Sequence, residues 1–98
     1  MPRDLSLQQP GLVIPYRRRP ADVLAAVEIV LRDLGLTRLY WSATPLIGLI
    51  SVARGVTAWC DGRTVTWRTS REETRWSAAD AEGAARQLAK LVGIGETA

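Results

Sequence analysis

The residue best suited to covalent chemistry in this chain of 98 residues is its one cysteine, Cys60. A cysteine attacks as its thiolate, and Arg63 is the nearest cation in the sequence that could favour that form. No histidine is present, which excludes histidine-dependent triads and leaves too few ligands for a zinc site. Because free cysteine usually packs as a small hydrophobe, we expect Cys60 to be structural. The sequence therefore predicts a non-enzymatic protein with no catalytic residues, no metal ligands and no cofactor.

Arginine is the second residue type that could carry a function. The formal net charge is +3, and all thirteen basic residues except Lys90 are arginine. The guanidinium group is a planar donor that fits phosphate oxygens. The candidate nucleic-acid contacts, in the N-terminal segment and around a predicted hairpin, are Arg17, Arg18, Arg19, Arg54, Arg63 and Arg68. An arginine-rich, lysine-poor composition is also typical of a GC-rich genome, so the count alone identifies no partner.

A predicted β-hairpin positions the cysteine. Two alternating apolar runs flank Asp61-Gly62, and this dipeptide between such runs is a strong hairpin signal. If both are the central turn residues, Cys60 lies opposite Arg63. Alternation then puts Cys60 on one face of the hairpin and Trp59 on the other. We therefore expect a large aromatic side chain on the face that turns away from Cys60.

Two helices are expected, one before and one after the strands. The first is predicted over residues 20–34, with Pro20 in its first turn and Gly35 at its C-terminal end. The second begins at Ser77-Ala-Ala-Asp80, which has the form of a capping box with Asp at its last position. Gly93 is placed to end it.

The segment between the first helix and the hairpin is expected to form strands, because its apolar period shortens to about two. Strands are predicted over residues 38–42 and 46–53, separated by Thr44-Pro45, with Arg54-Gly55 as a second tight turn. The order is α-β-β-β-β-α. This is an α+β fold whose antiparallel sheet has three to four strands and carries both helices on one face.

The predicted organisation is a single domain over residues 20–93, with an irregular N-terminal arm over 1–19 and a tail over 94–98. The arm contains one apolar stretch, Gly11–Tyr16, which favours a short edge strand. The start of the chain lacks the apolar core of a signal peptide, and no apolar run is long enough for a membrane span. We therefore expect a cytoplasmic protein that does not bind membranes.

The expected outer face of the sheet, which points away from the helices, is the candidate interaction surface. A register with Ser51 opposite Ala58 assigns to this face Leu39, Trp41, Ile50, Val52 and Trp59. Such a face exceeds the apolar patch that a monomer normally exposes, and tryptophan is frequent at interaction hot spots. The sequence favours a small regulatory module that forms a homodimer or binds a protein partner here. Coverage of the face by residues 12–14 of the arm is one alternative. A register that differs by one residue, which would exchange the two faces of a strand, is the other.

Nucleic-acid binding through the six arginines is the second functional hypothesis. The element order resembles that of the double-stranded-RNA-binding domain, a resemblance of architecture alone, which implies binding to an RNA duplex. That family has a lysine-rich cluster at the start of its last helix, where this chain has the acidic segment Ser77–Glu82. Acidic side chains there repel phosphate, so protein interaction is the first hypothesis.

Overall fold

The computed structural model describes residues 17–53 and 55–93, so the predicted strand in residues 11–16, the tail over 94–98 and Arg54 lie outside the described residues. The elements in chain order are α1 (Pro20–Asp33), β1 (Tyr40–Ala43), β2 (Gly48–Ala53), β3 (Val56–Cys60), β4 (Thr64–Arg68), β5 (Glu73–Ser77), a 3-10 turn (Ala78–Asp80) and α2 (Ala81–Leu91). The predicted α+β class is confirmed. The antiparallel sheet has five strands rather than three to four.

The sheet is a meander in the order β1-β2-β3-β4-β5, so β1 and β5 are its edges. Both helices cover one face: α1 contacts β1, β2 and β3, α2 contacts β5, and the two helices contact each other. One apolar core fills the space between the layers, and its largest fully buried aliphatic side chains are Leu24, Val27, Leu31, Ile50, Val65 and Leu88. The opposite face of the sheet is not covered by any described element.

The ends of α1 agree with the sequence prediction. Pro20 occupies the first turn, where its missing N–H has no intrahelical acceptor, and Gly35 follows the helix with a φ of 104°. The buried residues of α1 recur at helical spacing and are Pro20, Val23, Leu24, Val27 and Leu31. The helix lies close to the sheet at Gly48, where an added Cβ atom would be 2.7 Å from the Leu24 Cδ1 atom.

Two caps form the start of α2. The Ser77 hydroxyl accepts a hydrogen bond from the Ala79 N–H at 3.2 Å and begins the 3-10 turn. The Asp80 carboxylate then accepts the Gly83 N–H at 3.0 Å and begins the α-helix. Ser77 and Asp80, the first and last residues of the predicted capping segment, therefore each cap one helical element.

The β3–β4 turn differs from the predicted one, but each side chain of the hairpin lies on the face that was predicted for it. Cys60 pairs with Val65 rather than with Arg63. The Asp61 carboxylate precedes the turn and accepts the N–H groups of Arg63 at 2.8 Å and Thr64 at 2.9 Å. A displacement of two residues leaves every side chain on its original face. The predicted separation of the two faces of this hairpin is confirmed.

A bulge in β2 makes the predicted β2–β3 register wrong over most of its length. Ala53 pairs with Val56, as the expected turn requires, but Ile50 pairs with Ala58 because the register shifts between Ser51 and Ala53. The prediction had placed Ser51 opposite Ala58. A shift of one residue exchanges the two faces of the strand.

This exchange corrects most of the predicted outer face. Ile50 and Val52 are buried in the core beneath the helices. Trp41 pairs with Ile50 and packs against the same core, as does Leu39. These four residues therefore do not lie on the outer face, because β1 takes its register from the bulged strand β2.

The fifth strand was missed because its charged residues resembled a loop. Glu73 pairs with Arg68 and Thr74 with Trp67, which extends the sheet beyond β4. Trp76 stacks on Trp67, with ring centroids 6.4 Å apart and an interplanar angle of 24°. The alternation of Thr74 and Trp76 on the inner side was the signal for this strand.

Candidate interaction surface

The outer face of the sheet carries a cluster of exposed apolar side chains on β1, β2, β3 and the β1–β2 loop. Its members and their exposed fractions are Tyr40 (65%), Leu46 (71%), Ile47 (49%), Leu49 (38%) and Trp59 (43%). We call this cluster the apolar patch. Leu49 and Trp59 are direct cross-strand partners at its centre.

A shallow cavity of about 290 Å³ lies within the apolar patch, lined in part by Ile47, Leu49 and Trp59. Thr44 supplies a hydroxyl to its rim, but this oxygen accepts the N–H groups of Leu46 at 3.2 Å and Ile47 at 3.1 Å. These bonds hold the β1–β2 loop in a tight turn. The Thr44 hydroxyl is thus engaged in hydrogen bonds within the loop. The surface around the cavity is mainly apolar.

The β4–β5 half of the same face is charged. The Glu73 carboxylate accepts hydrogen bonds from Arg68 at 3.0 Å and Arg75 at 3.2 Å. These bonds, that from Arg68 first, hold the pKa of Glu73 below its ordinary value. The outer face is therefore divided into an apolar half and a charged half whose ion pairs are satisfied within one chain.

Of the five residues predicted for the interaction surface, Trp59 is exposed on the outer face. Sequence reasoning missed the other four members of the apolar patch. Leu46 and Ile47 carried a readable signal, since they follow Pro45 in a turn where large apolar side chains have little to pack against. Leu49 carried none, because its face depends on the bulge.

Arg17, one of the predicted nucleic-acid contacts, makes hydrogen bonds within the chain. Its guanidinium donates to the Asp61 carbonyl oxygen at 3.0 Å and to the Leu46 carbonyl oxygen at 2.8 Å. The next residue, Arg18, donates its backbone N–H to the Gly62 carbonyl oxygen at 2.9 Å. The segment before α1 is thus fastened to the β1–β2 loop and to the β3–β4 turn.

The structure brings some of the candidate arginines together and separates others. Residues 17–19 lie beside the β3–β4 turn, which carries Arg63. Arg68 is at the far end of β4 and is paired with Glu73. Among the described candidates, Arg68 is separated from residues 17–19 and Arg63 by the length of a strand, so these positions do not form one continuous basic surface.

Cys60 is fully buried on the core face. Its Sγ atom accepts the Gly62 N–H at 3.3 Å, and burial raises the pKa of the thiol despite this bond. A raised pKa disfavours the thiolate that nucleophilic chemistry needs. Over residues 17–53 and 55–93, no group of three or more His, Cys, Asp or Glu side chains is arranged to hold a metal ion.

Comparisons with known proteins give no relative. No family model matches the chain, and neither a curated protein nor a solved structure is significantly similar to it. In the part of the chain that the structure describes, neither helix has the length and apolar character needed to cross a bilayer.

Proposed function

We propose that this protein is a non-catalytic interaction module that forms a homodimer through the apolar patch. The observation that carries the proposal is the exposed cross-strand pair of Leu49 and Trp59 at the centre of the patch. An aromatic anchor surrounded by aliphatic side chains is the typical composition of an interaction hot spot. Exposed apolar groups of this size are stabilised by removal from water.

A second copy of the chain is the occupant that fits best. The patch is apolar, so an identical patch complements it when a twofold axis brings the two together. The charged half of the face needs no partner, because Arg68 and Arg75 already pair with Glu73. Two copies that bury the patch against each other remove on the order of 1,000 Å² from water, the lower range for a specific interface.

The nucleic-acid alternative has less support. Two of the arginines it needs, Arg17 and Arg68, make hydrogen bonds within the chain that phosphate binding would have to replace. Breaking them offsets part of the gain from each phosphate contact. Within the described ranges, the apolar half of the outer face carries no positive charge for a phosphate backbone, and the arginines of the charged half are paired with Glu73.

Sedimentation equilibrium of the full chain tests the homodimer. Leu49→Arg places a charge at the centre of the patch and should weaken dimerisation at least about tenfold, a loss of 1.4 kcal/mol or more. Ile29→Arg is the matched control, because Ile29 is 63% exposed on α1, outside the patch. It should leave the dimer intact.

A wild-type protein that stays monomeric at millimolar concentration would contradict the proposal. Equal weakening by both substitutions would also contradict it, since the effect would then come from net charge. Binding to duplex RNA with a steep salt dependence would instead favour the nucleic-acid alternative.

A further inference from the structure

The edge strand β1 has a row of backbone groups that point away from the sheet. The Thr44 N–H donates to the Ile47 carbonyl oxygen at 2.7 Å, so Thr44 and Ile47 are a hydrogen-bonded pair. This bond determines which of the β1–β2 pairs beyond it are hydrogen-bonded. In an antiparallel ladder, bonded and non-bonded pairs alternate. The pairs of Trp41 and Ala43 with β2 are therefore non-bonded, and their N–H and C=O groups face outward from the edge.

The two edges of the sheet are protected to different degrees. β5 carries Glu73 and Arg75, and charged side chains on an edge strand discourage the addition of another strand. β1 has the sequence Tyr-Trp-Ser-Ala and carries no charge. β1 is thus the edge whose composition permits strand addition.

A basic cleft of about 570 Å³ adjoins the Ala43 end of β1, and it is lined by Arg17, Arg19, Ala21, Ala43, Thr44 and Pro45. Arg17 is held by loop carbonyl oxygens, whereas the Arg19 side chain is exposed. No acidic residue is among the described residues that line the cleft. Its charge is complementary to a carboxylate.

We propose that β1 binds an extended acidic peptide segment of a partner protein by strand addition. The segment forms backbone hydrogen bonds with Trp41 and Ala43 and places an acidic side chain in the cleft against Arg19. Main-chain bonds supply most of the affinity, and the Arg19 contact selects acidic segments over neutral or basic ones. This surface is the edge of the sheet. It adjoins the apolar patch, since Ala43 and Thr44 line both the cleft and the cavity of the patch, but it does not include Leu49 or Trp59.

Fluorescence anisotropy with a labelled, end-blocked peptide Glu-Thr-Val-Thr-Val-Glu tests the proposal. Glutamate at both ends lets either strand direction bring a carboxylate to Arg19. We expect saturable binding that weakens about tenfold for Ala43→Pro, which removes one outward N–H where an edge strand tolerates proline. Arg19→Ala, and lysine in place of both glutamates of the peptide, should weaken binding to a similar extent.

Peptides N-methylated at alternate positions provide a second measurement with unaltered protein, in case Ala43→Pro does not fold. For this measurement glutamate is kept at one end of the peptide alone, so that one strand direction is favoured. Methylation of one alternate set of N–H groups should then abolish binding and methylation of the other set should not, because only alternate N–H groups face β1. Leu49→Arg should bind the peptide as the wild type does, which separates this proposal from the homodimer. The proposal is overturned by an absence of saturation up to about 1 mM peptide or by equal binding of both N-methylated forms. Slow exchange of the Ala43 amide that becomes fast when residues 1–16 are removed would also overturn it.

Discussion

Trp41 on β1 donates its indole N–H to the Glu28 carboxylate on α1, with an N–O distance of 2.9 Å. The same carboxylate accepts the Arg32 Nε–H, also at 2.9 Å, from the next turn of the helix. Glu28 therefore joins the edge strand to the helix layer through two hydrogen bonds. Among the described residues, β1 has a neighbouring strand on one side, so this contact adds to its pairing with β2 and its packing against α1.

The contact predicts a pH-dependent contribution to stability. Hydrogen bonds from Trp41, the larger cause, and from Arg32 hold the pKa of Glu28 below its ordinary value of 4.5. Because the pKa is lower in the folded state, the stabilisation is complete above the unfolded pKa and is lost as the pH falls through the folded one. The difference in unfolding free energy between wild type and Trp41→Phe should be largest at neutral pH and narrow in acid. Urea titrations at a series of pH values measure it.

The matched control for this prediction is Tyr40→Phe, which alters the exposed aromatic residue next to Trp41. It should give a difference that does not vary with pH. If Trp41→Phe also gives a constant difference, packing of the ring is the whole contribution, and the hydrogen bond to Glu28 adds nothing to stability.

Trp67 and Trp59 should respond in opposite ways to truncation. Trp67 is buried and stacked on Trp76, so Trp67→Ala is expected to lower the unfolding free energy by about 3–5 kcal/mol. Trp59 is exposed on the outer face, so Trp59→Ala should lower the stability of the monomer by less than about 1 kcal/mol and weaken dimerisation. Chemical denaturation at low protein concentration measures the first effect, and sedimentation the second. The reverse order of stabilities would mean that the faces of the β3–β4 hairpin are inverted.

Substitutions at two turn glycines distinguish the effect of backbone strain on stability from the effect of a steric clash. Gly62 and Gly55 both have positive φ, 94° and 80°, which disfavours any side chain by about 1–2 kcal/mol. A Cβ atom at Gly62 would also collide with the Arg18 carbonyl oxygen, whereas one at Gly55 would meet nothing within 4 Å. Gly62→Ala should therefore lower stability more than Gly55→Ala does, as measured by thermal and urea unfolding. Equal losses would indicate that residues 17–19 are not fastened to the turn in solution.

Cys60 should be slow to react with thiol reagents. Its burial excludes the reagent and raises the pKa of the thiol, so the alkylation rate should follow global or local unfolding and rise in alkaline solution. Cys60→Ala should lower the unfolding free energy by about 1 kcal/mol, as expected for a small core truncation. Rapid labelling of the native protein at neutral pH would contradict the buried position.

The helices were predictable from sequence because their end signals are local. Pro20 and Gly35 bound α1, and Ser77 and Asp80 supply side-chain caps at the start of the second helical region. The Asp61-Gly62 hairpin was found for the same reason. Its cross-strand pairing is displaced by two residues, since Asp61 caps the turn with its carboxylate instead of occupying the centre.

The candidate site was less predictable, because one extra residue in β2 reverses a face. The bulge lies between Ser51 and Ala53, and no glycine or proline in that segment marks it. What decides the register is the core: Ile50 fits beneath the helices opposite Ala58, and Leu49 is left outside. This preference arises from tertiary packing, so the register cannot be predicted from the periodicity of apolar residues within the strand.

The hydrogen bonds of Arg17 also affect where another protein can be fused to this one. They hold the chain, as it enters the domain, next to the Leu46 carbonyl, at the border of the apolar patch. A fluorescent protein or affinity handle fused directly to Arg17 would stand beside the apolar patch and obstruct it. The chain leaves the domain after α2, on the opposite layer, where Gly93 turns it with a φ of 80°. Handles attached there lie away from both the patch and the β1 edge, because α2 contacts β5 at the other side of the sheet.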